Sequence, residues 1–287
     1  MPAPRETQWA RPILKALDAT YLTRAVPPGT AHYWSWLFAA AESRAPLLGI
    51  YALEAEWQAL MDPATETGVA HLKLAWWQEE MQRLAAGSAV HPISGYLAGL
   101  PRAALVDFTA LSTAVKTAAT QVGGVPLERG TDLEPQSRDL WGEPLALVSR
   151  LAADVPDEAS LSRCTTALAA AGYLSRAIRD YRREARMGRV PFAIDELLAA
   201  GVDNDDLACD PPPPHLQIYL VGLRERAAGY FEAAAQALPR AERRRHRHLL
   251  VLAALGLTHL NSRAAPQGRR RFKDMLLAWT TARRAPR

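Results

Sequence analysis

Apolar residues recur along this chain at the three- and four-residue spacing of helices, almost from end to end. Strand-like alternation never persists for more than a few positions. Prolines and glycines separate the helical stretches. The pattern predicts an all-α fold with helices at 7–23, 32–41, 44–62, 67–86, 91–100, 103–122, 136–153, 158–187, 194–200, 214–237, 241–264 and 269–283.

The proline run Pro211–Pro214 is the best candidate for a linker. Apolar sequence with helical spacing continues on both sides of it, so we interpret it as a loop inside one domain. We therefore expect a single domain over 1–287, with loose tails at 1–6 and 284–287. A chain of 287 residues is long enough to bury a sizeable core.

One predicted helix carries two carboxylates at the edge of its apolar face. Asp180 and Glu184 lie four residues apart, on the flank of an apolar stripe and near Tyr173. The stripe is formed by Leu174, Ala177, Ile178 and Tyr181, and the helical spacing puts Arg176, Arg179, Arg183 and Arg186 on the opposite arc.

Acidic side chains are rare at such an edge unless they are paired or bind a metal. Magnesium suits the position, since it takes one or two carboxylates together with phosphate oxygens. The pair Asp180 and Glu184 therefore has two interpretations. It is either part of a salt-bridged helix face or half of a site for Mg²⁺ and a diphosphate.

The predicted helix 44–62 is the second place where such ligands could lie. Tyr51, Ala55, Gln58 and Asp62 project within a narrow arc. This arc offers one amide and one carboxylate. A neutral amide is a weaker magnesium ligand than a carboxylate because it brings an oxygen without the charge.

Composition excludes several classes of protein. Cys164 and Cys209 are far apart and have no CxxC context, which argues against a zinc site or a disulfide framework and indicates a reducing compartment. The N-terminal residues lack the apolar core of a signal peptide, and no apolar run reaches bilayer length. P-loop, GxSxG and Rossmann patterns are missing from the sequence. We expect a cytoplasmic protein, with the inner membrane face as a further place where it could act peripherally.

Charge is distributed unevenly along the chain. The net charge is +4, but residues 239–287 carry thirteen Lys and Arg against two acids, so the remaining residues sum to −7. Such a basic C-terminal region could meet a membrane surface, a nucleic acid or an anionic substrate, or form only a solvated helix face and a loose tail. No aromatic residues interleave with the basic run 243–247, so we expect no nucleic-acid partner.

Several blocks of the sequence resemble the squalene/phytoene synthases. They occur in the family's order across about residues 30–280, and the block 178–197 is the most specific. The matching segments are Tyr33-Trp34-Ser35-Trp36-Leu37-Phe38, Arg44, Tyr51-Ala52-Leu53 with Glu56, Leu72 to Glu80 with His91-Pro92, Ile178-Arg179-Asp180 through Gly188-Arg189-Val190-Pro191-Phe192, and Asp195-Glu196-Leu197.

The resemblance implies an isoprenoid-synthase-like helical bundle around a central cavity. In that family two aspartate-rich motifs face each other and hold Mg²⁺ ions, which assist the departure of diphosphate when two isoprenyl diphosphates couple head to head. It implies catalytic and metal-binding roles for Asp62, Asp180 and Glu184, and leaves any use of NADPH open. The substrate-binding residues that it implies are Tyr33, Ser35, Arg44, Tyr51, Gln58, Arg179, Arg183 and Arg189.

The first aspartate-rich motif departs from the family pattern. Gln58, Ala59 and Asp62 stand where the family has three aspartates. Three hypotheses therefore remain open. The chain is a prenyltransferase with an altered first motif, a catalytically impaired member that binds an isoprenyl diphosphate or related lipid or acts in assembly, or a helical scaffold whose basic C-terminal region binds a membrane or a partner.

Overall fold

The computed structural model describes residues 17, 19–261 and 267–285, with the backbone alone at 267–270. α-Helices and short connections make up these residues, and no strand occurs among them, which confirms the predicted all-α class. The helices are α1 (Ala19–Ala25), α2 (Ala31–Leu37), α3 (Ala41–Met61), α4 (Thr67–Ala85), α5 (Pro92–Ala98), α6 (Thr109–Val122), α7 (Leu133–Ser137), α8 (Glu143–Ala152), α9 (Glu158–Arg186), α10 (Ile194–Ala200), α11 (Asn204–Ala208), α12 (Pro214–Ala237), α13 (Arg240–Arg243), α14 (Arg247–Asn261) and α15 (Gln267–Arg284).

Helix α3 lies at the centre of the main hydrophobic core. It contacts α1, α2, α4, α5, α6 and α8, and it is apolar on most of its circumference, as expected for a helix surrounded by others. The Trp57 ring lies 6.3 Å from the Trp77 ring and 6.4 Å from the Trp141 ring. These aromatic contacts tie α3 to α4 and to the π-helical turn Arg138–Gly142.

Helix α9 is the longest helix and carries the predicted carboxylates. Its N-terminus is capped by Asp157, whose side chain accepts a hydrogen bond from the Ser160 N–H at 2.9 Å. The predicted apolar stripe is confirmed, because its members are buried and pack in a second core with α12. These stripe residues are Leu174, Ala177, Ile178 and Tyr181.

Two predicted helices are interrupted, and one short helix was not predicted. The predicted helix 103–122 is interrupted at 106–108, where the Asp107 carboxylate accepts a hydrogen bond from the Thr109 N–H at 2.8 Å. The predicted helix 241–264 is broken at 244–246. The unpredicted helix α11 begins in a capping box formed by Asp203 and Asp206.

Parts of some predictions lie outside the described residues. These are positions 7–16 and 18 of the predicted helix 7–23, positions 262–264 of the predicted helix 241–264, and the tails at 1–6 and 286–287. Arg284, predicted to begin the C-terminal tail, still belongs to α15. Within the described part of the chain, no helix has the length and hydropathy needed to cross a bilayer.

Candidate functional site

A charged cleft lies where α3 and α6 end against the C-terminal half of α9. Its cavity measures about 200 Å³. Four arginines and three carboxylates line it, together with two glutamines and several apolar groups. The lining residues are Gln58, Met61, Asp62, Pro63, Gln121, Gly124, Val125, Tyr173, Arg176, Ala177, Arg179, Asp180, Arg183, Glu184, Arg189, Val190 and Pro191.

The cleft brings together residues that are distant in the sequence. Asp62 directly follows α3, whereas Asp180 and Glu184 lie on α9 beside its buried stripe. The three predicted carboxylates therefore share one cavity. The prediction that the arginines of α9 lie on an arc apart from the carboxylates is wrong for three of them, because Arg176, Arg179 and Arg183 line the same cleft.

The end of α9 directs Arg189 back into the cleft. Gly188 has a φ of +75°, which glycine adopts readily because it has no Cβ. The Gly188 N–H donates to the Ala185 carbonyl at 2.9 Å, and the Arg189 N–H donates to the Glu184 carbonyl at 3.0 Å. This pair of bonds is a Schellman motif, and it reverses the chain immediately after the helix.

Arg189 joins the two other walls of the cleft. Its guanidinium donates to the Met61 carbonyl at 2.8 Å and to the Val122 carbonyl at 3.4 Å. Met61 and Val122 are the last residues of α3 and α6, so a positive charge satisfies carbonyl groups at two helix C-termini.

Two of the carboxylates are paired with arginines. The Arg179 guanidinium donates two hydrogen bonds to the Asp180 carboxylate, at 2.9 and 2.8 Å. The Arg183 guanidinium donates to one Asp62 oxygen at 3.2 Å, and the other Asp62 oxygen accepts from the Ala64 N–H at 2.9 Å. Arg179 and Arg183 are more than half exposed, so both ion pairs are in contact with solvent.

The pKa values of the α9 carboxylates shift in opposite directions. Burial raises the pKa of Asp180, but the hydrogen bonds and charge of Arg179 outweigh burial, and the net pKa is lowered. Burial also raises the pKa of Glu184, and there the charges of Arg189, Arg176 and Arg183 do not compensate, so the net pKa is raised. Asp180 is thus held as a carboxylate, whereas Glu184 is harder to ionise.

Helix α3 presents only one carboxylate to the cleft. The Gln58 amide is exposed and donates to the Glu54 carboxylate at 3.2 Å. Ala59 lines a different cavity, with Arg24, Glu56 and Lys73 among its neighbours. Among the described residues, no three His, Cys, Asp or Glu side chains converge closely enough to hold a metal ion.

Four other predicted substrate-binding residues lie away from the cleft lining. The Ser35 and Tyr51 hydroxyls are hydrogen-bonded at 2.8 Å, fully buried, and burial raises the pKa of Tyr51. Arg44 donates to the Leu37 carbonyl at 3.1 Å, and its pKa is lowered by burial and by the charge of Arg247. Tyr33 packs on Trp34. Their substrate-binding roles remain predictions.

Some cleft residues were not among the predicted site residues. Arg176 lies one turn before Asp180, and its guanidinium is within 3.5 Å of the Gln121 amide oxygen and 5.9 Å from the Tyr173 ring. The i, i+4 spacing of Arg176 and Asp180 could have indicated their common face. Gln121 and Val125 carry no comparable signal, since they reach the site only because the end of α6 lies near Arg176 of α9.

Comparison with known proteins identifies one matching family model and two solved structures with a similar fold. The model of the family described as squalene/phytoene synthase matches residues 27–280. The fold is similar to that of a dehydrosqualene synthase solved in complex with a ligand, with a TM-score of 0.70 and 13% identity, over 95% of this chain and 98% of that one.

The fold is also similar to squalene synthase HpnC from Alicyclobacillus acidocaldarius, with a TM-score of 0.61 and 16% identity, over 96% of this chain and 100% of that one. Comparison with curated protein sequences finds no match. At these identities the solved structures support the fold, whereas the family model covers most of the sequence. The chain belongs to the squalene/phytoene synthase family.

Proposed function

We propose that this protein binds the diphosphate group of an isoprenyl diphosphate directly through arginines, without metal-assisted ionisation. The proposal corresponds to a catalytically impaired member of the family. The observation that carries it is the composition of the cleft, where four arginines surround three carboxylates and two of those carboxylates are already ion-paired.

The donor set of the cleft does not fit several Mg²⁺ ions. Magnesium needs octahedral oxygen ligands and is usually held by one or two carboxylates plus phosphate oxygens. The α3 side offers Asp62 and a neutral amide, and Asp62 is shared between Arg183 and a backbone N–H. On the α9 side, burial raises the pKa of Glu184, so Asp180 is the carboxylate that is held in its charged form.

The same residues are well suited to a diphosphate. Guanidinium groups present planar pairs of N–H donors that match phosphate oxygens. The ion pairs of Arg179 and Arg183 are solvent-exposed, and such pairs contribute only about 0–1 kcal/mol each. A polyanion can therefore displace Asp180 and Asp62 from these arginines at small cost.

The size of the cleft favours a headgroup over a whole lipid. Its cavity of about 200 Å³ is smaller than the roughly 300–1,000 Å³ of cavities that enclose drug-sized ligands. We infer that the diphosphate enters the cleft and that most of the isoprenyl chain stays outside this cavity. Met61, Val125 and Val190 are the apolar groups over which the first isoprene unit would lie.

A second candidate function is head-to-head prenyl transfer. The specific observation in its favour is that Asp62, Asp180 and Glu184 line one cavity despite the altered first motif. The two functions make opposite predictions for Mg²⁺. Metal-assisted transfer requires the ion for tight substrate binding, whereas recognition by arginines does not.

Calorimetric titration of the full chain with inorganic pyrophosphate and with a farnesyl thio-diphosphate, in EDTA and in Mg²⁺, distinguishes these functions. We expect binding in EDTA that weakens as salt is added. Arg183→Gln should weaken binding roughly tenfold, because it removes a charged hydrogen-bond donor. Arg186→Gln is the matched control, since Arg186 is exposed on the same helix and does not line the cleft.

The proposal fails if binding appears only with Mg²⁺, or if Arg183→Gln binds as tightly as the wild type. It also fails if farnesyl or geranylgeranyl diphosphate is converted to a coupled product when Mg²⁺ and a reductant are supplied. That last result would establish prenyl transfer in its place.

A further inference from the structure

Helix α15 packs on the protein through one face only. It contacts α14 and α2, and Asp274 and Ala278 are buried in that contact. The Asp274 carboxylate lies 3.0 Å from the His259 ring nitrogen of α14. This pair fixes the rotation of α15, and with it the side that faces away from the core.

The outward side of α15 carries an exposed apolar stripe. Phe272, Met275, Leu276 and Trp279 follow the i, i+3, i+4, i+7 spacing of one helix face. Their exposed fractions are 64, 36, 47 and 42%. Large apolar side chains grouped in this way mark an interaction surface, whereas single exposed ones do not.

Basic side chains surround this stripe. Arg271, Lys273, Arg283 and Arg284 are exposed, and the Arg283 guanidinium lies 4.7 Å from the centre of the Trp279 ring. Helical spacing puts Lys273 and Arg284 on one flank, Arg271 on the other and Arg283 in line with the stripe. The single acid of residues 267–287 is Asp274, which is buried, so α15 itself places no exposed carboxylate among these charges.

We propose that α15 docks flat on an anionic lipid bilayer. An amphipathic helix with Phe, Leu and Trp on one face and basic side chains beside them lies in the plane of the interface. The apolar stripe would enter the boundary between headgroups and acyl chains. The basic groups would meet lipid phosphates, whose surface potential attracts Lys and Arg.

The positive charge around α15 favours an anionic lipid surface over a second copy of the chain as the partner of this face. Two copies joined through α15 would bring their basic flanks together, in a C-terminal region of charge +11, and like charges across an interface oppose association. A lipid surface with anionic headgroups complements the same flanks. The inference goes beyond the proposed diphosphate binding and does not depend on it.

Flotation of the full chain with vesicles tests this docking. We expect binding to phosphatidylcholine vesicles that contain about 30 mol% phosphatidylglycerol, and much weaker binding without it or in about 0.5 M salt. The pair Phe272→Ser with Leu276→Ser, and the pair Lys273→Gln with Arg284→Gln, should each weaken binding by roughly tenfold or more.

Ile218→Ser with Val221→Ser is the matched control, because these α12 residues are apolar and 73 and 51% exposed. The docking is refuted if the α15 variants bind vesicles like the wild type, or if the control pair weakens binding equally. Self-association lost in the Phe272→Ser, Leu276→Ser variant, without vesicle binding by the wild type, would instead identify the face as a contact between copies. Pyrophosphate binding by the same variants should stay unchanged, so failure of the docking is separable from failure of the cleft proposal.

Discussion

The two functions proposed for the cleft make opposite predictions for the charge of Glu184. Its pKa is raised by burial despite three neighbouring arginines. If Glu184 were a metal ligand, its negative charge would favour the binding of metal and diphosphate. Beside a diphosphate that arginines bind directly, the same charge would oppose diphosphate binding.

We therefore expect Glu184→Gln to tighten pyrophosphate binding in EDTA roughly fivefold near neutral pH, since a like charge is removed. The wild type should bind less tightly as pH rises through the pKa of Glu184, because the bound anion favours its protonated form, and the variant should lose this component. Titration at several pH values checks both effects. Glu225→Gln, outside the cleft lining, is the control, and weaker binding by Glu184→Gln would contradict the arginine-based site.

His248 is a buried histidine that should make the protein less stable in acid. It is fully buried, neither ring nitrogen has a hydrogen-bond partner, and burial lowers its pKa to about 3. The unfolded chain protonates this histidine near pH 6.5, so its contribution to folding is present above pH 6.5 and is lost progressively as pH falls toward 3.

Between pH 8 and pH 5 this histidine should account for about 2 kcal/mol of lost stability. Urea unfolding at both pH values should show a smaller loss for His248→Leu than for the wild type. The exposed His71→Leu is the control. An unchanged pH difference in His248→Leu would show that other groups determine the acid sensitivity.

At the residue scale, the position of the two α9 carboxylates beside the apolar stripe was predictable from the sequence. The contacts made by Ser35 and Tyr51 were not. Asp180 and Glu184 follow from helical spacing beside an apolar stripe, and that stripe is local. Ser35 and Tyr51 come from α2 and α3, and only the packing of those helices shows that their hydroxyls bind each other. The pairing of Arg183 with Asp62 likewise joins residues more than a hundred positions apart.

At the scale of elements, Gly256 determines how closely α14 approaches α12. A Cβ at this position would lie 2.2 Å from the nearest ring atom of Phe231. Phe231 is itself buried, so its ring has little room to move. We expect Gly256→Ala to destabilise the protein by about 1–3 kcal/mol through overpacking, against the gain in helix propensity.

Gly229→Ala on α12 is the matched control, because no heavy atom lies within 4 Å of its added Cβ. That substitution should stabilise the protein by about 0.5–1 kcal/mol. Thermal and urea unfolding of both variants compares the two effects. A Gly256→Ala protein as stable as Gly229→Ala would mean that α12 and α14 can separate without loss.

The existence of the long helices was predictable, because α3, α9 and α12 have sustained apolar periodicity. The breaks within other predicted helices, and the short helices, were less predictable. At the break at 106–108 one carboxylate accepts a hydrogen bond from the first residue of the next helix, and α11 begins with two aspartates of a capping box. Such short-range polar contacts do not alter the apolar period on which the predictions rest.

For the whole molecule, the family resemblance already implied a helical bundle around a central cavity, with its site between two motifs that are distant in the sequence. It did not reveal that the carboxylates and arginines would neutralise one another, since pairing depends on which rotamers meet across the cleft. The exposed face of α15 also required the structure. Its apolar residues are spaced like those of a core helix, and the buried Asp274 shows which side faces inward.

Arg189 should couple local unfolding at the C-terminal ends of two helices. It is bound at once to the last carbonyls of α3 and α6, so fraying at one helix end should loosen the other. We expect amide hydrogen exchange in the last turns of both helices to accelerate together in Arg189→Met, and to slow together when pyrophosphate is bound. Two segments some sixty residues apart would then open as one unit, with the guanidinium as the link between them.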